Sequence, residues 1–183
     1  MISTEKEIIA QCQQGDTAAF RYVVEQYQTM LLTLGLKMLG DEEEAKDVVQ
    51  DTFLKAWERI GQYDSRYALS TWLYTIASRL CMSRMKRMRR IVPLPDDEQV
   101  LRCYMSDDNG QRQLENSELA AIVRVLAEGL GAKQRAVFTL CHLEGLDNGE
   151  IEKVTGLDAR QVKSNLYAAR QIVRERLKQL GYE

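Results

Sequence analysis

Apolar residues recur along this chain every three or four positions and hardly anywhere every second one, a pattern that predicts helices and no strands. After Thr4 a first helix carries Ile8, Ile9 and Cys12 on one face and stops at Gly15. Asp16 is placed to cap a second, in which Phe20, Val23, Val24, Tyr27, Leu31, Leu34 and Met38 recur at helical spacing until Gly40. Asp41 with Glu44 three residues on predicts a capping box, and Glu42 and Glu43 suit the positive end of a helix dipole. That third helix shows Ala45, Val48, Val49, Phe53, Ala56, Trp57 and Ile60, then breaks at Gly61.

Residues 62–69 read as a loop, and Ser70 is expected to cap a helix reaching about Arg90. Trp72, Leu73, Ile76, Ala77 and Leu80 supply its buried stripe. Beyond Leu80 the stripe is expected to fail, because Met82, Met85 and Met88 alternate with basic residues. That end is either a solvated basic tip whose methionines share the core edge, or a nucleic-acid surface. Pro93 and Pro95 then open an acidic, weakly periodic stretch to about Asn116. Shorter helices follow, marked by Leu119, Ile122, Val123 and Leu126, by Val137, Leu140 and Cys141, and by Ile151 and Val154. The last runs from Ala159 through Val162, Leu166, Ala169, Val173, Leu177 and Leu180. The expected fold class is all-α, with two small helical domains, 1–92 and 117–183, joined by a flexible acidic linker, 93–116.

Composition removes several function classes. Of the 183 residues, 45% are apolar and 28% charged, enough to bury a core. No apolar run approaches the roughly 20 residues of a membrane span, so no membrane insertion is expected. The first residues lack the layout of a secretion signal, and a cytoplasmic location follows as the expectation. Cys12, Cys81, Cys103 and Cys141 form no Cys-x-x-Cys pair and read as reduced thiols. The single histidine, His142, adjoins Cys141, but neighbours on a helix point about 100° apart and chelate poorly. No metal and no cofactor are expected. With neither a Gly-rich phosphate loop nor a Gly-x-Ser-x-Gly elbow, the chain does not read as an enzyme.

Charge changes the picture by its distribution. The formal net charge is −2, yet residues 71–92 hold Arg79, Arg84, Lys86, Arg87, Arg89 and Arg90 with no acid. Residues 158–178 hold six cations against Asp158 and Glu175, and the stretch between the two blocks is acidic. Two anion-binding surfaces on a nearly neutral protein are the consequence.

The second block has the layout of a helix-turn-helix. A short helix ends at Gly156, which can take the left-handed turn; Leu157 plugs the inter-helix core and Asp158 caps the next helix. At about 3.6 residues per turn, Val162, Leu166, Ala169 and Val173 point inward, leaving Arg160, Gln161, Lys163, Ser164, Tyr167 and Arg170 outward with Asn165 at the border. Major-groove readout uses this mix: Arg and Lys for guanine edges and phosphates, amides for adenine, small hydroxyls for close approach. An amphipathic helix with merely solvated charge has a similar pattern. The absence of any acid between Asp158 and Glu175 favours DNA.

Four blocks carry a resemblance: Asp41-Glu-Glu-Glu-Ala-Lys-Asp-Val-Val-Gln-Asp-Thr-Phe-Leu-Lys-Ala-Trp, Ser70-Thr-Trp-Leu-Tyr-Thr-Ile-Ala, Lys133-Gln-Arg-Ala-Val-Phe and Val162-Lys-Ser-Asn-Leu. Together they resemble the extracytoplasmic-function sigma factors over almost the whole chain. The resemblance implies a promoter-specificity subunit of bacterial RNA polymerase, with core polymerase, promoter DNA and an anti-sigma factor as partners. It implies that Asp47, Val48, Gln50, Asp51, Phe53 and Leu54 grip the clamp helices of the largest polymerase subunit. Of these, Asp47, Gln50, Asp51 and Leu54 share one helix face. The loop before Ser70 and the helix after it correspond to the reader of the minus-ten element. Tyr67, Trp72 and Tyr74 are its aromatic candidates for stacking unpaired bases, with Arg84, Lys86, Arg87 and Arg89 as phosphate contacts; Trp72 serves equally well as core. Family members often carry Asn where this chain has Arg79, and arginine offers donors only, so the base preference departs from the usual one. The outward face of the last helix corresponds to the reader of the minus-thirty-five element, and the linker to a connector toward the RNA exit path. A free-standing helix-turn-helix regulator and a helical protein-binding adaptor are the other readings, though neither needs both the acidic Asp47–Leu54 face and the second basic block.

Overall fold

In the computed structural model, residues 5–91 and 129–181 are described. The linker expected at 93–116, the helix expected over 119–126 and Cys103 lie outside them. Seven α-helices and no strands form among the described residues: α1 (Glu5–Gln13), α2 (Thr17–Leu39), α3 (Glu42–Arg59), α4 (Leu69–Ile91), α5 (Ala132–Phe138), α6 (Asn148–Thr155) and α7 (Ala159–Gln179). A 3₁₀ turn, Ile60–Gln62, extends α3, and α5 widens into π spacing over Thr139–Leu143. None of these helices is long and apolar enough to cross a membrane.

The helix ends follow local chemistry. Asp16 accepts hydrogen bonds from the Ala18 and Ala19 amides, and Gly40 closes α2 at φ 70°. Asp41 accepts from the Glu44 amide at 2.8 Å, but the expected capping box is incomplete because the Glu44 carboxylate turns away to bind Arg84. A full box forms instead at Asp147 and Glu150, ahead of α6. The start of α4 also differs from expectation. Leu69 is already helical, since the Trp72 amide donates to the Ala68 carbonyl, and Ser70 lies inside the first turn.

Two layers pack around α4. On one flank lie α2 and α3, on the other α5 and α6. The buried line Leu69, Leu73, Ala77, Cys81 and Met85 recurs every four residues, so the stripe continues past Leu80. Trp72, Ile76, Leu80, Met82 and Met88 are half-buried beside it. One continuous apolar cluster joins this helix to Leu31, Leu34 and Met38 of α2 and to Val137, Leu140, Ile151 and Val154 of the C-terminal half. That half keeps a smaller core of its own, formed by Leu130, Phe138, Ala169 and Val173.

Helices α2 and α3 cross closely at Gly35, where an added Cβ would stand 3.0 Å from the Ala45 Cβ and 3.2 Å from its Cα. The contact is with backbone and a methyl that cannot rotate away. Gly35→Val is therefore expected to destabilise the fold by about 1–3 kcal/mol, measured by urea denaturation of the full chain.

Candidate nucleic-acid interface

The α7 face is built by the turn before it. Gly156 adopts φ 75°, Leu157 is buried, and Asp158 accepts from the Gln161 amide at 2.8 Å. With Val162, Leu166, Ala169 and Val173 buried, Arg160, Gln161, Lys163, Ser164, Tyr167 and Arg170 stand exposed and Asn165 lies at the edge. Ala159, Arg160, Lys163, Ser164 and Tyr167 line one shallow depression. Three of the expected contact residues also have local work. Gln161 reaches back to the Asp158 amide, Asn165 donates to the Gln161 carbonyl, and Arg170 donates to His142 Nε2 at 2.9 Å. Burial, and then the Arg170 charge, lower the His142 pKa, so the ring stays neutral and free to accept.

On α3 the structure divides the six residues expected to meet a partner. Asp47, Gln50 and Leu54 are exposed and Asp51 is half-exposed, all on one face. Val48 and Phe53 are buried within this chain, beneath the exposed Asp47, Gln50 and Leu54. Phe53 meets Phe20 edge to face at 6.2 Å, and Phe20 in turn meets Trp57 at 5.0 Å. At about 100° per residue Val48 and Phe53 each lie roughly 110° away from the centre of the Asp47–Leu54 face, which is why this pair falls inward.

Around α4 the expected aromatic candidates separate. Tyr67 is exposed at the loop tip. Trp72 packs against buried Tyr63 in a tilted pair with ring centroids 5.1 Å apart, and the Tyr63 hydroxyl donates to the Tyr67 carbonyl, so Trp72 braces the loop. Tyr74 is half-buried and donates its hydroxyl to Glu144. Burial and that hydrogen bond raise its pKa, keeping the proton in place. Arg79, Lys86 and Arg87 are exposed, while the Arg89 side chain lies outside the described residues.

Arg84 is the exception among the basic candidates. Its side chain is only 14% exposed and reaches three carboxylates on α3: Glu44, Asp47 at 3.3 Å and Asp51 at 2.8 Å. Burial opposes its charge, but the hydrogen bonds it donates to Glu44, Asp51 and Asp47 outweigh that and raise its pKa. In this arrangement Arg84 braces the acidic face of α3. The sequence reading missed this pairing because it links residues 33 to 40 positions apart. The usable signal was a line of acids spaced three and then four apart, Glu44, Asp47 and Asp51, together with a basic helix that carries no acid of its own.

Burial pushes the Cys81 thiol up to about 12, and Cys12 is raised as well, mainly by burial. Among the described residues no three His, Cys, Asp or Glu side chains are placed to hold a metal ion.

Residues 23–91 match the family model of sigma-70 region 2, and residues 120–173 match that of sigma-70 region 4. The RNA polymerase sigma-H factor of Pseudomonas aeruginosa is 28% identical, the alignment covering 96% of this chain and 95% of that protein. The ECF RNA polymerase sigma factor SigW of Bacillus subtilis is 26% identical over 96% and 97% of the two chains. Two solved structures share the fold. CnrH in complex with the cytosolic domain of CnrY has a TM-score of 0.65 at 23% identity, covering 94% of this chain and 96% of that one. The sigma factor RpoE with the anti-sigma factor NepR, from Bartonella quintana, has a TM-score of 0.63 at 22% identity, covering 87% and 96%.

Removing Arg84 leaves three carboxylates facing one another on α3. Because Asp47 and Asp51 are substantially exposed, solvent screens much of that repulsion, and Arg84→Ala is expected to cost about 1–2 kcal/mol. Urea denaturation at low and high salt should show the loss shrinking as salt rises. Arg84→Lys, which keeps the charge without the planar fork, should fall between.

Proposed function

Since the chain belongs to the extracytoplasmic-function sigma factors of bacterial RNA polymerase, we propose that it directs core polymerase to promoters through three surfaces of this fold. The observation that carries the reading is the order of the two matches: region 2 over the N-terminal half and region 4 over the C-terminal half. Relatives of nearly equal length span both.

The α3 face, with Asp47, Gln50, Asp51 and Leu54, binds the clamp helices of the largest polymerase subunit. Acids and an amide around one exposed leucine suit a basic partner with a small apolar centre. Val48 and Phe53 hold that face from inside. Tyr67, Tyr74, Arg79, Lys86, Arg87 and Arg89 engage the opened minus-ten element, with Trp72 fixing the loop that carries Tyr67. Aromatic faces stack on unpaired bases while cations follow the backbone. Arg160, Gln161, Lys163, Ser164, Asn165, Tyr167 and Arg170 read the minus-thirty-five duplex from the first turns of α7, the part that enters the major groove in helix-turn-helix proteins. Residues 1–92 and 117–183 act as the two functional units, with 93–116 as their connector. The chain works in the cytoplasm by binding, without a reaction of its own, and an anti-sigma factor is its further protein partner.

Reconstitution with purified core polymerase tests the reading: the chain should co-migrate with core and confer promoter-dependent transcription. Failure to bind core overturns it. Leu54 is 57% exposed, so Leu54→Ala is expected to weaken core binding by about 1–2 kcal/mol while leaving unfolding free energy within about 0.5 kcal/mol of wild type. Both quantities are accessible by titration and by denaturation.

On α7, Arg160 has the planar fork that makes two bonds to guanine. Arg160→Ala is expected to cost holoenzyme about 1–3 kcal/mol and to relax preference at one or two upstream positions. Lys163→Ala should weaken binding evenly across sequences and flatten the salt dependence. A library of upstream-element variants distinguishes the two profiles, and interchanged profiles would reverse the two roles.

A further inference from the structure

Arg84 springs from α4, yet its guanidinium ends on α3. Nη1 donates to Glu44 Oε2 and, at 3.3 Å, to Asp47 Oδ2, while Nη2 donates to Asp51 Oδ2 at 2.8 Å. The arginine side chain is 14% exposed, against 63% for Asp47 and 42% for Asp51, so the cation lies beneath and the acids stand outside. Each aspartate meets it through Oδ2 alone, which leaves Oδ1 for other bonds.

Without a cation between them these carboxylates repel one another. Asp47 and Asp51 are four residues apart on one helix face and Glu44 precedes Asp47 by three, spacings at which like charges push side chains apart. A planar guanidinium offers two nitrogens in fixed geometry, one for each aspartate; a lysine ammonium lacks that fork. Carboxylates already held in place spare a partner the cost of ordering them. Arg87 is no substitute. It stands 3.8 Å from Glu44, is 62% exposed, and among the described residues only Arg84 forms an ion pair with either aspartate.

We propose that Arg84 is a positioning residue for polymerase binding: it sets Asp47 and Asp51 in the arrangement that core polymerase meets, and so belongs to the α3 face and not to the DNA surface of its own helix. This role rests on the assignment of the α3 face to the clamp helices. The sign of the effect separates positioning from charge. Removing Arg84 leaves α3 more negative, which by long-range attraction alone speeds encounter with a basic partner and tightens binding. Loss of positioning instead shortens the lifetime of the complex.

The test measures association and dissociation of the full chain with immobilised core polymerase, at a temperature where circular dichroism shows every variant folded. Arg84→Met keeps the stem and removes charge and fork, whereas Arg84→Lys keeps the charge. Arg21→Gln removes one cation from the exposed Arg21–Glu25 pair of α2 as a charge-matched control. Arg84→Met should dissociate about tenfold faster without associating more slowly, and Arg84→Lys about threefold faster. Arg21→Gln should match the wild type. In a chain carrying both Asp47→Asn and Asp51→Asn, Arg84→Met should add less than about a twofold change, because it acts through those carboxylates. Tighter binding by Arg84→Met, or Arg84→Lys dissociating like the wild type, would overturn the role. An undiminished loss in the double-Asn background would do so too, by making Arg84 a direct contact. Holoenzyme assembled with Arg84→Met should keep the wild-type salt dependence of promoter binding; a flatter slope would make Arg84 a phosphate contact and overturn the proposal. If Arg84→Met does not fold, Arg84→Lys and its double-Asn background decide by the same comparison. The aspartate variants check the underlying reading separately: should the double-Asn chain bind core as the wild type does, the α3 assignment itself fails.

Discussion

Burying α4 on two opposite flanks sets the terms for the rest of the chain. A helix pressed against α2 and α3 on one side and α5 and α6 on the other keeps only its edges and its C-terminal end for other work. Its buried line therefore has to change character along its length, from Leu69 and Leu73 to the smaller Ala77 and Cys81 and then to the adaptable Met85. Small residues at the middle let neighbouring helices approach. The cations that follow are confined to the edges and the tip.

That confinement explains how one helix serves two electrostatic environments. Arg84 leans toward α3 and is consumed by carboxylates, and exposed Arg87 stands 3.8 Å from Glu44, whereas Arg79 and Lys86 remain toward solvent. Acidic and basic surfaces thus lie back to back across a single ion cluster. The small formal net charge of −2 conceals this separation. Short-range complementarity, more than long-range attraction, governs what each face can hold.

Local signals were legible where one residue's chemistry decides one backbone feature. Gly40, Gly156, Asp16, Asp41 and Asp158 act as their types require, and the inward arc of α7 follows from period alone. The acids of the exposed α3 face and the outward α7 cations were likewise visible in spacing. Features that depend on a distant partner were not. Glu44 gives up its capping role because Arg84 offers a stronger bond from another helix. Val48 and Phe53 belonged to a recognisable motif, but burial against Phe20 and its neighbours decides their direction. Lys37 meets Glu144 across 107 positions, and nothing in either local pattern foretells it.

The Arg84 cluster has a consequence for evolution and for protein engineering. Asp47 and Asp51 lie on the exposed face of α3, yet their shared guanidinium belongs to α4. Substitutions in the two helices are therefore epistatic: a change in the acids alters the background in which Arg84 is tolerated, and the reverse holds. A chimera that grafts α3 from one relative onto α4 of another inherits half of a charge cluster. Exchange of segments between relatives is best arranged so that α3 and α4 travel as one inherited block.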